Sequence, residues 1–219
     1  MHKLSLPNNL YFGTKSDYVV ESIRTAILVG DLAPGTRITE QEVKSLMKVS
    51  SSPIREAFRE LEVEGLLTRN PHTGTKVSEM DIGDAKELYF IQSLLQGTVV
   101  QISTRNLKEE EILEAERLNE EMKKMYEGAI DVKGLRVVNY KLHMILCGAS
   151  VYPWLTRLIS ACWVRFPTQS LWMIPNRPKM SYQQHEKIIR AVKKRDAILA
   201  GSLMRKHLES SMNALFGGK

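Results

Sequence analysis

The chain has 219 residues, 43% hydrophobic and 26% charged, with a net charge of +6. That balance suits one large or two small soluble domains and excludes a disordered or low-complexity chain. No run of about 18 apolar residues occurs, so no membrane span is expected. The first six residues also lack the long apolar core of a signal peptide. Cys147 and Cys162 stand far apart in apolar surroundings, which fits a reduced, cytoplasmic protein in which both simply pack.

The positive charge is unevenly placed. Residues 1–80 hold ten Lys/Arg and ten Asp/Glu, whereas residues 81–219 hold 21 and 15. The excess concentrates in Arg177–Lys206, which reads as a solvated helix face. Net charge is therefore no evidence of a nucleic-acid partner, and any such site must come from local arrangement.

Residues 1–14, with Pro7, Asn8, Asn9 and Gly13, read as a flexible arm. From Lys15 the pattern is helical, with Val19, Val20, Ile23, Ile27 and Leu28 on one apolar stripe that ends at Gly30-Asp31. Leu32–Gly35 is a turn. Thr39 with Glu42 forms a capping box, behind which Val43, Leu46 and Met47 face inward. After Met47–Ser50 a second helix begins, with Ser50 as candidate N-cap and Pro53 in the first turn. Ile54, Ala57, Phe58 and Leu61 supply its core face, and Gly65 suits its C-terminal cap. Leu66–Arg69 and Thr75–Ser78 are strand-like, joined by a hairpin tip over Asn70–Gly74 in which Gly74 supplies a positive φ.

Three helices and a hairpin over residues 15–78 make a winged helix-turn-helix, its second motif helix offered to DNA. Residues 79–83 are a linker. The remainder, 84–219, is helical throughout, with helices expected near 84–104, 108–127, 132–149, 153–165, 180–194 and 196–215. The fold class is mostly α: an N-terminal winged helix-turn-helix and a C-terminal all-helical bundle of about six helices.

The Ser-Pro-Ile-Arg-Glu-Ala-Phe core at Ser52–Phe58, with Glu64-Gly65-Leu66-Leu67 behind it and Gly74-Thr75-Lys76-Val77 in the wing, resembles the GntR family of bacterial transcription regulators. The upstream turn Gly30–Ile38 shares the resemblance, and the helical half looks like the FCD effector domain of the FadR branch. The family's recognition helix enters the major groove and its wing approaches the minor groove. This implies Gln41, Ser51, Ser52, Arg55, Arg59, His72, Thr73 and Gly74 as DNA-contact candidates. Arg55 matches an arginine of the family core, and such a fork reads guanine or grips phosphate. Arg55 could instead pair internally with Glu56, Glu60 or Glu62. Relatives usually carry Arg where Ser51 stands, and often Arg or another polar residue at Gln41, so the operator is not copied from them.

His143, His185 and His207 lie on three separate predicted helices, and Asn139 falls one turn before His143. Neutral imidazoles of this kind suit Zn²⁺ or Ni²⁺, although spacing alone is weak evidence. The resemblance strengthens it: FCD domains often hold a divalent metal through Asp, a His four residues on, and two later His. Here Asn139 replaces the Asp, leaving Asn139, His143, His185 and His207 as candidate metal ligands. The same four with Gln92 are candidate effector contacts. The alternative is a polar pocket holding three histidines without metal.

Gln92 and Gln96 replace a family Arg and Glu, so a carboxylate effector would be less charged, differently held, or gripped by Arg136 or Arg165. Those two cations read otherwise as surface residues. Trp154, Trp163, Trp172, Tyr89 and Tyr140 could line the pocket, though core packing suits most of them.

The resemblance implies a homodimer that reads a palindromic double-stranded operator under control of a small organic acid. Two other readings stand beside it. One is a metal sensor. The other is a metal-dependent hydrolase, for which Glu186, turned about 100° from His185 on its helix, is a poor base; no enzyme activity is expected.

Overall fold

The computed structural model describes residues 13–70, 74–128, 130–148, 151–165 and 168–217, with the side chains of Thr168 and Gln169 excepted. The chain divides into two compact units, Met1–Met80 and Asp81–Lys219.

In the first unit, α1 (Lys15–Val29) opens with a capping box in which the Thr14 hydroxyl accepts from the Asp17 N–H. It ends at Gly30, whose φ of 84° is the left-handed cap that only glycine adopts cheaply. α2 (Glu40–Met47) has the expected Thr39–Glu42 capping box. α3 (Ser51–Val63) starts after Ser50 as expected, but the Ser50 side chain makes no capping hydrogen bond. The turn between α2 and α3 instead depends on Lys48, which takes a left-handed φ of 53° without being glycine. Val19, Ile23, Val43, Ile54, Ala57 and Leu61 are all fully buried, so the three helices close on one apolar centre.

Burying each such aliphatic side chain contributes roughly 1.5–3 kcal/mol. β2 (Leu67–Asn70) and β3 (Gly74–Val77) form the hairpin, with Leu67 opposite Val77 and Asn70 opposite Gly74. A short β1 (Arg37–Ile38), which the sequence pattern did not signal, pairs antiparallel with β3 to give the order β1-β3-β2.

The second unit contains α4 (Ile82–Ser103), α5 (Glu109–Glu127), α6 (Val132–Leu146), α7 (Pro153–Arg165), α8 (Thr168–Trp172), α9 (Arg177–Lys193) and α10 (Ala197–Phe216). Asp81, Asp131 and Asp196 cap α4, α6 and α10 through their side chains. α8 falls in the gap between the helices expected near 153–165 and 180–194. Five residues give no helical period to read, and tertiary burial of Leu171 and Trp172 holds them.

α10 packs chiefly on α4, and α5 on α6 and α9. The α4–α10 approach is set by two glycines: a Cβ on Gly201 would lie 2.5 Å from the Gly97 carbonyl oxygen. That crossing fixes the height of α10, and with it His207, against α4.

Candidate functional site

In the first unit, α3 turns Ser52, Arg55, Glu56 and Arg59 to solvent while Ser51 is half-buried, and Gln41 is exposed in the first turn of α2. Arg55 does pair internally, but not with Glu56, Glu60 or Glu62. Its Nε donates to Glu40 Oε2 on α2 at 2.9 Å. Arg59 makes no ion pair among the described residues. An open groove between α2 and the start of α3 is lined by Glu40, Gln41, Lys44, Ser45 and Ser51. Gly74 has a φ of 84°, and a Cβ there would lie 3.3 Å from the Arg37 guanidinium. Arg37 thus stands exposed beside the wing turn. Sequence reasoning missed it because the β1–β3 pairing that brings it there spans only two residues. His72 and Thr73 lie outside the described residues.

The second unit brings His143, His185 and His207 together from α6, α9 and α10, all of them buried. His185 Nε2 lies 3.2 Å from His143 Nε2 and 3.2 Å from His207 Nε2. The outer nitrogens of His143 and His207 each face a glutamine, whose amide orientation sets the tautomer. Gln96 Nε2 donates to Gln92 Oε1, so Gln96 Oε1 faces His143 Nδ1 as an acceptor at 2.7 Å. Gln184 Nε2 donates to Ser210, so Gln184 Oε1 likewise accepts from His207 Nδ1 at 2.8 Å. Both rings therefore carry their proton on Nδ1 and turn a bare Nε2 lone pair inward. His185 Nε2 can donate to only one of them, and His185 Nδ1 has no partner.

Two or three lone pairs held this close call for a cation. Nitrogen ligands at 2.0–2.1 Å around a tetrahedral Zn²⁺ are about 3.3 Å apart, so the spacing fits. Burial lowers the pKa of His143 to about 3. Burial first, then the neighbouring rings and Arg177, hold His185 and His207 well below the usual range. Neutral rings are the ligating form.

Asn139, His143 and His207 line a small cavity with Tyr89, Trp163, Trp172, Ser181 and Ser211. It leaves about 10 Å³ for the centre of a water molecule, roughly one water or one ion. Asn139 Oδ1 is buried there without a hydrogen-bond partner. Gln92 is not on the cavity wall. It donates to the Ile159 carbonyl at 3.2 Å and supports Gln96, so it braces His143 from behind.

Of the two cations suggested as effector grips, Arg165 is exposed, whereas Arg136 is buried one turn before Asn139 rather than solvated. Burial lowers the Arg136 pKa to about 10, with Tyr89 opposing that shift. Arg177 is also buried, which corrects the reading of Arg177–Lys206 as a solvated face. Trp163 and Trp172 do reach the cavity wall, while Trp154 is exposed. Gln184, Ser181 and Arg177 were not singled out from the sequence. Their signal was an i, i+4, i+7, i+8 stripe on α9 ending at His185.

Residues 15–77 match the model of the bacterial regulatory proteins, gntR family, and residues 87–210 match the FCD domain. An uncharacterized HTH-type transcriptional regulator of Bacillus subtilis, YdhC, is 34% identical over 125 residues, 57% of this chain and 55% of that protein. The match therefore spans about half the length of that relative. The B. subtilis HTH-type transcriptional regulator LutR is 24% identical over 213 residues, 86% of this chain and 95% of that protein. The solved structure of E. coli McbR/YncC superposes with a TM-score of 0.82 over 94% of this chain and 99% of that one, at 20% identity, a likeness of fold. With the FCD match alone covering more than half of it, the chain belongs to the gntR family of bacterial regulatory proteins and carries an FCD domain C-terminal to its winged helix-turn-helix.

Proposed function

We propose that the chain is a DNA-binding transcription regulator that works in the bacterial cytoplasm as a homodimer. α3 and the wing read a palindromic operator, and a small organic acid bound in the helical unit shifts the DNA-competent population. Ser51, Ser52, Arg55, Arg59, Gln41 and the wing around Gly74 carry the DNA contacts. His143, His185 and His207 would hold a divalent metal, Zn²⁺ or Ni²⁺, with Asn139 as a weaker fourth ligand. When bound, the metal supplies a Lewis-acidic point for an oxygen of the effector.

The observation that carries this reading is the convergence of three Nε2 atoms at 3.2 Å contacts while Gln96 and Gln184 pin two Nδ1 protons outward. A dimer is supported by Phe90, Ile91, Leu94 and Ile102 on α4, each at least 39% exposed, apolar side chains that a partner subunit would cover. Among the described residues no helix is long and apolar enough to cross a membrane.

The test is operator binding by stripped and zinc-loaded protein, with and without organic acids. Acid-dependent change in operator affinity supports the reading. A change that follows metal alone, indifferent to every acid, favours a metal sensor. Glu186, the base considered for the hydrolase alternative, is half-exposed and accepts from Arg190 at 3.0 Å, which disfavours that reading.

A further inference from the structure

The outer face of the wing sheet carries a cation that the fold does not use. Side chains alternate along a strand, so with Ile38 buried in the core, Arg37 stands on the opposite, exposed face of β1. Its register partner on β3 is Lys76, which in turn faces Thr68 on β2. Like charges directly opposite one another destabilise a sheet. Lys76 is relieved by an ion pair with Glu79. Arg37 is not: it has neither a hydrogen bond nor a carboxylate partner among the described residues.

Two features hold its guanidinium in one place. The entry to β1 is pinned to β3, where the Gly35 N–H donates to the Val77 carbonyl and the Val77 N–H to the Thr36 carbonyl, both at 2.9 Å. The guanidinium itself reaches the start of β3, where a Cβ on Gly74 would lie 3.3 Å from both its Nε and its Nη2. The bare glycine leaves it room. An exposed planar fork, charged and unpaired, matches the oxygens of a phosphate.

The local charge points the same way. α3 carries Arg55 and Arg59 against Glu56, Glu60 and Glu62, and Arg55 is partly engaged by Glu40. The three wing strands carry Arg37, Arg69 and Lys76 and no Asp or Glu. The helix offered to the bases is therefore net negative, and the positive charge that a phosphate backbone requires lies on the strands beside it.

Resting on the reading of this chain as a DNA-binding regulator, we propose that Arg37 is the wing's phosphate clamp. Its fork grips a backbone phosphate beside the groove that the wing approaches, once in each half-site. It contributes affinity that does not depend on base sequence.

The experiment uses the full-length protein, an operator selected from random duplexes and a scrambled duplex of equal length, titrated by fluorescence anisotropy at several salt concentrations. Arg37→Gln is expected to weaken both duplexes by a similar factor, roughly fivefold to tenfold for each engaged Arg37 at about 0.1 M salt. The slope of log affinity against log salt should become shallower by about one for each. Arg37→Lys keeps the charge and should recover most of that slope. Arg37→Gln should melt no lower than the natural protein, because it removes an unpaired charge opposite Lys76. A methylphosphonate scan, which neutralises one phosphate at a time, locates the contact: the natural protein should lose affinity at a position in each half-site where Arg37→Gln loses none.

Unchanged affinity and slope in Arg37→Gln overturns the clamp, and a loss in Arg55→Ala alongside it leaves the DNA reading standing. A loss confined to the operator overturns the assignment to phosphate in favour of a base. Lower affinity with a lower melting temperature and an unchanged salt slope makes Arg37 a strut of the wing and overturns the clamp as well. Failure of the natural protein to enrich any duplex sinks the DNA reading, and the clamp with it.

Discussion

Arg55 Nε donates to Glu40 Oε2 at 2.9 Å, tying the exposed face of α3 to the first turn of α2. Arg55 is 65% exposed, and an exposed pair of this kind contributes only about 0–1 kcal/mol to stability. Its consequence is orientation. With Nε engaged, neither terminal nitrogen has a hydrogen bond among the described residues, which leaves a fork on an exposed side chain. Arg55→Ala is expected to lower affinity for an operator selected from random duplexes by roughly 1–3 kcal/mol if the fork reads a base. Glu40→Gln should leave the melting temperature nearly unchanged and lower operator affinity by less than Arg55→Ala does. Affinities at two salt concentrations, for the operator and a scrambled duplex, separate the cases. An equal loss on both duplexes, with a salt slope reduced by about one, would place Arg55 on phosphate.

Gly201→Ala tests the crossing that sets His207. The new Cβ would meet the Gly97 carbonyl oxygen at 2.5 Å and Gln101 Cβ at 2.8 Å, and the first of these is backbone. Overpacking of this sort costs about 1–3 kcal/mol. Gly97→Ala meets its nearest atoms at 3.2 Å and should be milder. Urea unfolding gives the order of the two. Zinc affinity should fall in Gly201→Ala, because separating α10 from α4 displaces His207 from His143. Undiminished zinc affinity would show that this crossing does not position the imidazoles.

Acid should weaken the metal-stripped protein. His143 is held at about 3 by burial, and His185 and His207 well below their ordinary value. The unfolded chain takes up these protons near pH 6.5. Below that point the unfolded state binds more protons than the folded one, so folding stability falls as pH drops and is fully present only above it. Each ring that stays neutral should contribute a slope of roughly 1 kcal/mol per pH unit between about pH 6 and 4. Chemical unfolding at several pH values measures it. His143→Gln should show a shallower slope, and an unchanged slope would exclude His143 as a source.

The architecture was legible where local chemistry repeats. Thr39 with Glu42 marked α2, the spacing of Ile54, Ala57, Phe58 and Leu61 marked α3, and the long helical periods marked six of the helices in the second unit. The three histidines were legible as residue types, but their meeting depends on how α6, α9 and α10 pack, which no local period encodes. Gln184 and Arg177 were illegible for the same reason. In sequence, Arg177 belongs to a basic stretch that otherwise faces solvent, and only the placement of Ser210 and Ser211 on α10 shows that it turns inward. Ser50 failed in the opposite direction: the residue type fits an N-cap, yet its side chain does not bond the helix.

Asn139→Asp asks how charge is divided between protein and effector. Asn139 lies one turn before His143, lines the same cavity, and has a buried Oδ1 with no partner. A carboxylate there would add a charged oxygen ligand to three neutral imidazoles, so zinc should bind about tenfold more tightly or better. Acetate and succinate should then bind less well to the metal-stripped variant than to the natural protein, as the built-in charge repels theirs. The two changes run in opposite directions, which a general loosening of the cavity cannot produce. Calorimetric titrations of zinc and of each acid, on both proteins at one pH, give both numbers. A gain in zinc affinity with no loss in acid affinity would place Asn139 at the metal and away from the carboxylate of the acid.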